Sequence, residues 1–376
     1  MYTPDFFPPE KLTAEHYRLL FLAKESSKQN ETIIICSNNK FSCETSKFDN
    51  ISIIRIPNVK IALIKSVLPM IIAKYYVKKY LKDNNITIDV LWYNSPRACA
   101  IVKKFPAIKI YDIMGIISKE LLTERNMYNC IKSYIYKKME KILYKYSDII
   151  TTINEKHKNT LKKYFDKDIY IIRDAVHLNT GYNKKVFRYI KNEYRDNFVI
   201  FFVGSFAYRK RLEKIFYSLP VLCAKIPTIK IIYAGEGKFI EYYKERSIQL
   251  GIEKNINFIG YIKGKELNSY IKLSDVCISD VFLEGFPYKI FEYMAMGKIA
   301  LVEDTPAVRE VLTDSVNACL YVDGNDFVKK ILMIKKNVRF RRKIELQAKK
   351  ESKNHTWKKR GEQFNVLLKR YHEKTK

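Results

Sequence analysis

Two glutamates, eight residues apart, have the type and spacing that best suit chemistry in this sequence. Glu284 precedes Gly285 and Pro287, which suit a tight turn and the first position of a helix. It is therefore expected just before a helix, where main-chain N–H groups and the helix dipole attract anions. Glu292 is expected inside that helix among apolar residues, where a carboxylate needs a partner. Two acceptors beside such a helix start would suit a sugar diphosphate with hydroxyls on either side.

The same spacing also fits an ordinary amphipathic helix with one exposed and one partly covered glutamate. The helix is expected over residues 288–296, with Gly297 placed to end it. Residues 299–302, Ile-Ala-Leu-Val, are expected to form a buried strand. Spacing alone leaves the two interpretations open.

A basic cluster follows another apolar segment. Residues 198–203 are expected to form a buried strand that ends at Gly204 and leads to Arg209, Lys210 and Arg211. Open α/β sheets bind ligands beyond the carboxyl ends of their strands, so these cations are expected to face a cleft. A guanidinium fork there suits phosphate oxygens. The alternative is a solvated basic loop in a basic protein.

A third loop, Gly235-Glu236-Gly237, follows the apolar residues 229–234. Glycines at this place would let the backbone approach a nucleotide. The Gly-x-Gly pattern alone is weak evidence for a nucleotide site. This indication becomes stronger because the pattern lies between the other two loops in the sequence.

The segment Glu284-Gly285-Phe286-Pro287 followed by Glu292 resembles the Glu-x7-Glu signature of glycosyltransferase family 4. These are retaining nucleotide-sugar glycosyltransferases of the GT-B fold. The resemblance covers nearly the whole chain and is strongest over residues 201–317.

The resemblance implies an α/β protein of two Rossmann-like, doubly wound parallel-sheet domains facing a cleft. A C-terminal helix would cross back to the first domain. The expected division is residues 1–185 for the acceptor-side domain, 186–355 for the nucleotide-sugar domain and 356–376 for the helix.

The resemblance also assigns roles to individual residues. Glu284 would contact donor-sugar hydroxyls, Glu292 the ribose hydroxyls, and Lys210, with Arg209 or Arg211, the leaving diphosphate. The full donor-binding set would comprise Gly204, Arg211, Gly235, Glu236, Gly237, Gly285, Phe286, Pro287 and Glu292. No metal or other cofactor is expected. The one Asp-x-Asp weighed as a metal site, Asp166-Lys167-Asp168, lies in a charged loop.

Three positions depart from the family pattern. Ser205 stands where an arginine is usual and Met114 where a histidine is common. Lys11-Leu12-Thr13-Ala14 replaces a glycine-rich turn. These departures motivate an alternative function, a non-catalytic GT-B subunit that binds sugar nucleotides. Asp112 and Glu120, near the same expected cleft, are interpreted as turn and helix-start residues.

Composition limits the partners. Lys+Arg 69 against Asp+Glu 40 gives a net charge of +29 spread along the chain. No stretch matches a nucleic-acid-binding module, so nucleic acid is not expected. The expected partners are a nucleotide-diphosphate sugar and a glycan or lipid-linked acceptor, such as a surface-polysaccharide precursor. We expect a cytoplasmic protein, peripheral on the inner face of the membrane.

Two further expectations concern the first domain. Residues 60–82 should form a helix whose lysines and tyrosines dock on an anionic membrane, the alternative being solvated lysines on an ordinary helix. Only Met1-Tyr2-Thr3 precede a proline-rich loop, fewer residues than a strand usually has. A short or truncated first strand is therefore expected.

Overall fold

The chain divides into two compact units. In this computed structural model, residues 14–38, 44–57, 68–103, 105–123, 127–178, 180–206, 210–279 and 285–375 are described. Unit 1 comprises Met1–Asp174 and Trp357–Lys376, and unit 2 comprises Ala175–Thr356. The chain passes into unit 2 after Asp174, earlier than the boundary expected at residue 185.

Unit 1 is built mainly from strands followed by helices. The described helices in its first segment, up to Asp174, are α1 (Ala14–Ser26), α2 (Leu68–Asp83), α3 (Ile117–Glu120), α4 (Met127–Tyr146) and α5 (Glu155–Leu161), with short 3₁₀ turns at Pro96–Ala100 and Leu121–Thr123. Its strands are β1 (Thr32–Asn38), β2 (Glu44–Phe48), β3 (Ile51–Pro57), β4 (Val90–Tyr93), β5 (Ile108–Ile113), β6 (Ile149–Thr152) and β7 (Ile169–Ile171). Residues 1–13 lie outside the described part, so the expectation of a truncated first strand stays a prediction.

The described strands of unit 1 form two sheets. β4, β5, β6 and β7 pair in parallel in chain order, as the alternation of strands and helices predicts. β1 pairs in parallel with β3, whereas β2 is antiparallel to β3 through a two-residue turn. Asp49 in that turn has φ 51°, a conformation that short hairpin turns use. The sequence analysis missed β2, because its residues are mostly polar.

The described strands of unit 2 form one six-stranded sheet. Its helices are α6 (Lys184–Glu193), α7 (Lys210–Phe216), α8 (Leu219–Lys225), α9 (Ile240–Gln249), α10 (Gly264–Leu273), α11 (Lys289–Ala295), α12 (Pro306–Arg309), α13 (Gly324–Lys336) and α14 (Val338–Ser352), with a 3₁₀ turn at Glu253–Asn255. Its strands are β8 (Phe198–Val203), β9 (Ile229–Ala234), β10 (Ile256–Gly260), β11 (Val276–Ser279), β12 (Ala300–Glu303) and β13 (Cys319–Tyr321). All pairs are parallel, in the order β10-β9-β8-β11-β12-β13.

Two segments of unit 2 show how local sequence sets the helices. The polar and basic residues 179–197 contain α6, which Asn183 caps by accepting from two main-chain N–H groups. Ile190 is buried on the inner face of α6, so this strongly basic segment still folds as an amphipathic helix. Residues 210–225 form two helices, α7 and α8, with Pro220 in the first turn of α8.

The last helix, α15 (Trp357–Thr375), returns to unit 1 and packs along α1. The rings of Trp357 and Phe21 are in tilted contact, with centroids 5.5 Å apart. Gly361 lies so close to Glu25 that an added Cβ would fall 2.1 Å from the glutamate Cβ. The predicted return of the C-terminal helix to the first domain is therefore confirmed. Among the described helices, none is both long and apolar enough to cross a membrane.

Candidate functional site

The strand order of unit 2 creates one place where the winding direction reverses. From β8 the chain moves to β9 and β10 on one side, and it then returns to β11 on the other side of β8. At such a switch point the loops that leave neighbouring strands diverge and open a ligand-binding crevice at the carboxyl edge. Gly204 follows β8, and the segment that leads to Gly285 follows β11. The topology therefore assigns both predicted loops to this edge.

Main-chain hydrogen bonds join the loops after β8 and β9 to each other and to the carboxyl ends of β9 and β10. Gly204 N–H donates to the Ala234 carbonyl at 3.0 Å, and Phe206 N–H donates to the Glu236 carbonyl at 3.0 Å. Gly235 N–H donates to the Gly260 carbonyl at 2.7 Å. The two loops and the end of β10 thus form one continuous rim along the edge of the sheet.

Gly235 cannot be replaced by another residue without strain. Its φ is +139°, and an added Cβ would fall 1.8 Å from the carbonyl oxygen of Gly204. The predicted Gly-x-Gly loop therefore has a structural reason for its first glycine, namely the close approach of two backbones. The Glu236 side chain is exposed, and its role in binding the donor stays a prediction.

The helix after the second loop, α11, is short and nearly surrounded. Ile290, Phe291, Tyr293, Met294 and Ala295 are all buried. Beyond its end, Gly297 has φ +66° and its N–H donates to the Met294 carbonyl at 2.9 Å, while Lys298 N–H donates to the Tyr293 carbonyl at 2.9 Å. These two bonds make a Schellman motif, so the predicted helix end at Gly297 is confirmed.

Glu292 lies on the open side of α11 and has a partner that the sequence analysis missed. Lys289 Nζ is 3.1 Å from both Oε1 and Oε2 of Glu292. The side chains are 16% and 19% exposed, so the pair is largely covered but still accessible. The spacing of three residues on a helix could have indicated this pair. Lys289 therefore supplies the counter-charge that a largely covered carboxylate needs.

Aromatic stacking fixes the loop before α11. The Phe286 ring lies 4.9 Å from that of Phe291, which in turn stacks on His355 at 4.7 Å. The Pro287 carbonyl accepts from Ile290 N–H at 3.0 Å. Pro287 thus stands just before the helix instead of at its first position, because the opening turn is tighter than an α-helical turn.

Several predicted site residues cannot be placed. Glu284 and Arg209 lie outside the described residues. Lys210 and Arg211 begin α7, but their side chains also lie outside the described part. The roles assigned to these four residues, and to Gly204, Gly237, Gly285, Phe286 and Pro287 as donor contacts, stay predictions.

In unit 1, Asp112 belongs to a buried cluster of charges. Arg18 of α1 donates from Nε and Nη2 to the Asp112 carboxylate at 2.7 and 2.8 Å, and from Nη1 to Asp174 at 3.3 Å. Thr151 Oγ1 also donates to Asp112 at 2.7 Å. Burial raises the pKa of Asp174 to about 6, an effect that the charge of Arg18 partly offsets. Burial also lowers the pKa of the neighbouring Arg360, on α15, to about 10. Asp112 is thus a buried ion-pair residue, neither a turn residue nor a free acid.

Glu120 folds back over the turn after β5. An added Cβ at Gly115 would fall 1.8 Å from Glu120 Oε1, so the carboxylate occupies the space beside this glycine. Burial raises the pKa of Glu120, and the charge of Glu140 raises it further. Glu140 itself accepts from Ser118 N–H at 3.2 Å and Ser118 Oγ at 2.6 Å. The hydrogen bonds from Ser118 join α3 to α4.

Asp168, from the only Asp-x-Asp segment considered, accepts hydrogen bonds from tyrosines. Tyr170 Oη donates to its Oδ2 at 3.1 Å, and Tyr371 of α15 also donates to it. Within the part of the chain that the structure describes, three or more His, Cys, Asp or Glu residues never group as metal ligands would.

Comparison with known proteins gives one family and one fold. Residues 183–351 match the family described as glycosyl transferases group 1. The putative glycosyltransferase EpsD of Bacillus subtilis is 25% identical over 227 residues, which cover 55% of this chain and 58% of EpsD. The chain spans less than two thirds of the length of the first curated relatives that it matches.

Two solved structures resemble nearly the whole chain. Sucrose-phosphate synthase from Thermosynechococcus elongatus has a TM-score of 0.78 at 14% identity, covering 95% of this chain and 93% of that one. Anabaena HepE, solved in complex with UDP and glucose, has a TM-score of 0.73 at 14% identity, covering 98% of each chain. The expected fold is confirmed as GT-B. The family match spans the switch-point loops and α11, so residues 183–351 are similar to the group 1 glycosyl transferases, and the GT-B fold extends through both units.

Proposed function

We propose that this protein transfers a sugar from a nucleotide-diphosphate sugar to an acceptor, with retention of configuration at the anomeric carbon. The observation that carries the proposal is the family match over residues 183–351, which includes the crevice between β8 and β11. The complex of HepE with UDP and glucose supports a nucleotide sugar as donor.

Glu292 would bind the ribose. A carboxylate has about four lone-pair positions. Lys289, at 3.1 Å from each oxygen, occupies one position on each. Each oxygen therefore keeps an acceptor position for one of two adjacent ribose hydroxyls. Lys289 would hold the carboxylate plane in place, so that the geometry of the two hydrogen bonds is set before the ligand arrives.

The leaving diphosphate would be stabilised by Lys210 with Arg209 or Arg211. Negative charge on the phosphate grows as the glycosidic bond breaks, and cations placed beforehand stabilise that charge. Glu284 would orient the donor sugar through its hydroxyls. The acceptor would be deprotonated with the help of the departing phosphate on the same face, so no protein nucleophile is required.

For the acceptor we propose a lipid-linked precursor of a surface glycan at the inner face of the cytoplasmic membrane. The proposal follows the family resemblance and the strongly basic charge of the chain, +29. Such an acceptor would keep the reaction at a membrane surface.

A non-catalytic subunit that binds sugar nucleotides is the second candidate. It is favoured by Ser205, which is exposed just after Gly204 at the rim of the crevice, where a phosphate-binding arginine is usual in the family. Met114, after β5, likewise replaces a common histidine.

One experiment separates the two candidates. The full chain is screened by thermal shift against a panel of nucleotide sugars, and each ligand that raises the apparent stability is tested for turnover. Glu292→Ala should weaken nucleotide binding about tenfold or more, since a lost charged hydrogen bond costs about 1.5–3 kcal/mol. Glu284→Ala should lower turnover more than nucleotide affinity.

Glu241→Ala is the matched control, because Glu241 forms a Lys–Glu pair at the same helical spacing on α9, but at an exposed site. Binding of a nucleotide sugar with neither transfer nor hydrolysis supports the second candidate. Wild-type binding and turnover in both site variants would show that the site assignment is wrong.

A further inference from the structure

The helix α4 exposes an unusual set of apolar side chains. Met127 is 81% exposed, Tyr128 71%, Ile131 58% and Tyr134 62%. Residues 127, 131 and 134 are spaced by four and three, so they lie on one face of the helix. A patch of this kind on a soluble domain marks an interaction surface more often than isolated exposed residues do.

The exposed face of α4 changes character along its length. Its first two turns are mainly apolar, and the turns that follow carry exposed lysines, namely Lys137, Lys138, Lys141 and Lys145. Each half of this face is about 12 Å long, at 1.5 Å per residue. The helix therefore presents an apolar end and a basic end side by side.

The one carboxylate in the sequence of α4 points away from this face. Glu140 is 3% exposed and is bound by Ser118 on α3. The buried side of α4 thus takes the helix's only negative charge, while all five of its lysines are left to the partly or fully exposed positions. This division makes the outer face cationic without compensation from within the helix.

The lysines and tyrosines of α4 are also in contact with each other. Lys138 Nζ lies 4.5 Å from the centre of the Tyr134 ring, and Lys132 Nζ lies 5.8 Å from that of Tyr128. Tyrosine and lysine both combine an apolar body with a polar tip and accumulate at the boundary between hydrocarbon and headgroups. A protein partner would be expected to meet an apolar centre with a mixed polar rim, whereas this face is apolar and purely basic.

We propose that α4 docks unit 1 on an anionic lipid bilayer. The helix lies in the interface, with Met127, Ile131 and Tyr134 immersed at the acyl boundary and Lys137 and Lys141 on lipid phosphates. The proposal deepens the proposed function, on which it rests for its membrane-bound acceptor. It places the membrane contact on α4, whereas the sequence analysis expected it on residues 60–82.

The test is co-sedimentation of the full chain with vesicles of phosphatidylcholine alone and of phosphatidylcholine mixed with phosphatidylglycerol. Wild-type protein should bind only the mixed vesicles, and salt should weaken binding because it screens the lysines. K137Q/K141Q should lower the partition coefficient about 25-fold, since each lysine near the surface contributes about fivefold. I131S/Y134S should lower it about tenfold or more, through lost apolar burial.

Matched controls carry the same changes elsewhere. K335Q/K336Q removes two exposed lysines from α13, and I248S removes a 65% exposed isoleucine from α9. Both should bind like wild type. K78Q/K79Q removes two exposed lysines of α2, within the earlier expected segment.

Three results would overturn the proposal: absence of vesicle binding by the wild type, equal losses in the controls, and loss with K78Q/K79Q but not with the α4 variants. A change in oligomeric state on gel filtration, with vesicle binding intact, would instead assign α4 to a protein partner. Thermal shift by nucleotide sugars should be unchanged in all α4 variants. Vesicle binding through α4 without any nucleotide-sugar binding would refute the proposed function alone.

Discussion

Arg18→Met should destabilise unit 1 strongly. Arg18 is 1% exposed and neutralises two carboxylates, those of Asp112 and Asp174. Methionine fills much of the space but removes the cation that both buried carboxylates share, leaving Arg360 as a neighbouring charge for Asp174. Removing one member of a buried ion pair costs about 3–5 kcal/mol, a large part of the stability of a typical domain.

The loss of stability in Arg18→Met should depend on pH, and the raised pKa of Asp174 determines the direction of that dependence. Asp174 has a pKa of about 6 in the folded chain, above its ordinary value of 3.8, because it is buried. The folded state therefore holds this proton more tightly than the unfolded state. As the pH rises from 3.8 to about 6, ionisation of Asp174 lowers the free energy of unfolding. This loss of stability is complete above a pH of about 6. Without Arg18 the pKa of Asp174 rises further, so the deficit of Arg18→Met should be largest near pH 8 and should shrink toward pH 5.

Tryptophan fluorescence can follow this effect in unit 1 alone. The chain has two tryptophans, Trp92 and Trp357, and both are buried in unit 1. Urea unfolding monitored by their fluorescence therefore reports on unit 1 even where the two units unfold separately. Leu19→Ala, next to Arg18 in α1 and 2% exposed, is the control. It should cost about 2–5 kcal/mol at every pH, since it removes apolar packing only. A deficit in Arg18→Met that is below about 1 kcal/mol or independent of pH would refute the reasoning.

Two glycine substitutions test close backbone approaches. Gly235→Ala should lower the melting temperature of unit 2 and the affinity for nucleotide sugars more than Gly251→Ala does. Both glycines have positive φ, but only Gly235 also has a carbonyl oxygen in the place of the Cβ, so equal effects on melting by circular dichroism would contradict this account. Gly361→Ala should destabilise unit 1 by about 1–3 kcal/mol by forcing α15 away from α1. The exposed Lys358→Ala beside it should change the free energy of unfolding by less than about 0.5 kcal/mol, and tryptophan fluorescence compares the two.

Much of unit 2 could be predicted from local sequence. The bounds of β8 and β9 agree with the apolar residues 198–203 and 229–234, and Gly297 ends α11 as its position suggested. These features depend on neighbours in the chain, such as apolar runs, a turn glycine or a helix cap. Lys289 as the partner of Glu292 was also within reach, because a spacing of three residues on a helix brings side chains together.

Less of unit 1 could be predicted from the sequence, because its buried ion pairs join residues that are far apart in the chain. Nothing near Arg18 in the sequence indicates that its guanidinium lies between Asp112 and Asp174, or that Arg360 lies beside them. The same limit applies to charge. A net charge of +29 does not show where on the molecule a basic surface lies. On α4 the packing decides this, because Glu140, the one carboxylate of that helix, is buried and the exposed face of the helix is left cationic. An acidic residue can thus shape a basic surface by facing the interior, and only packing decides which way it faces.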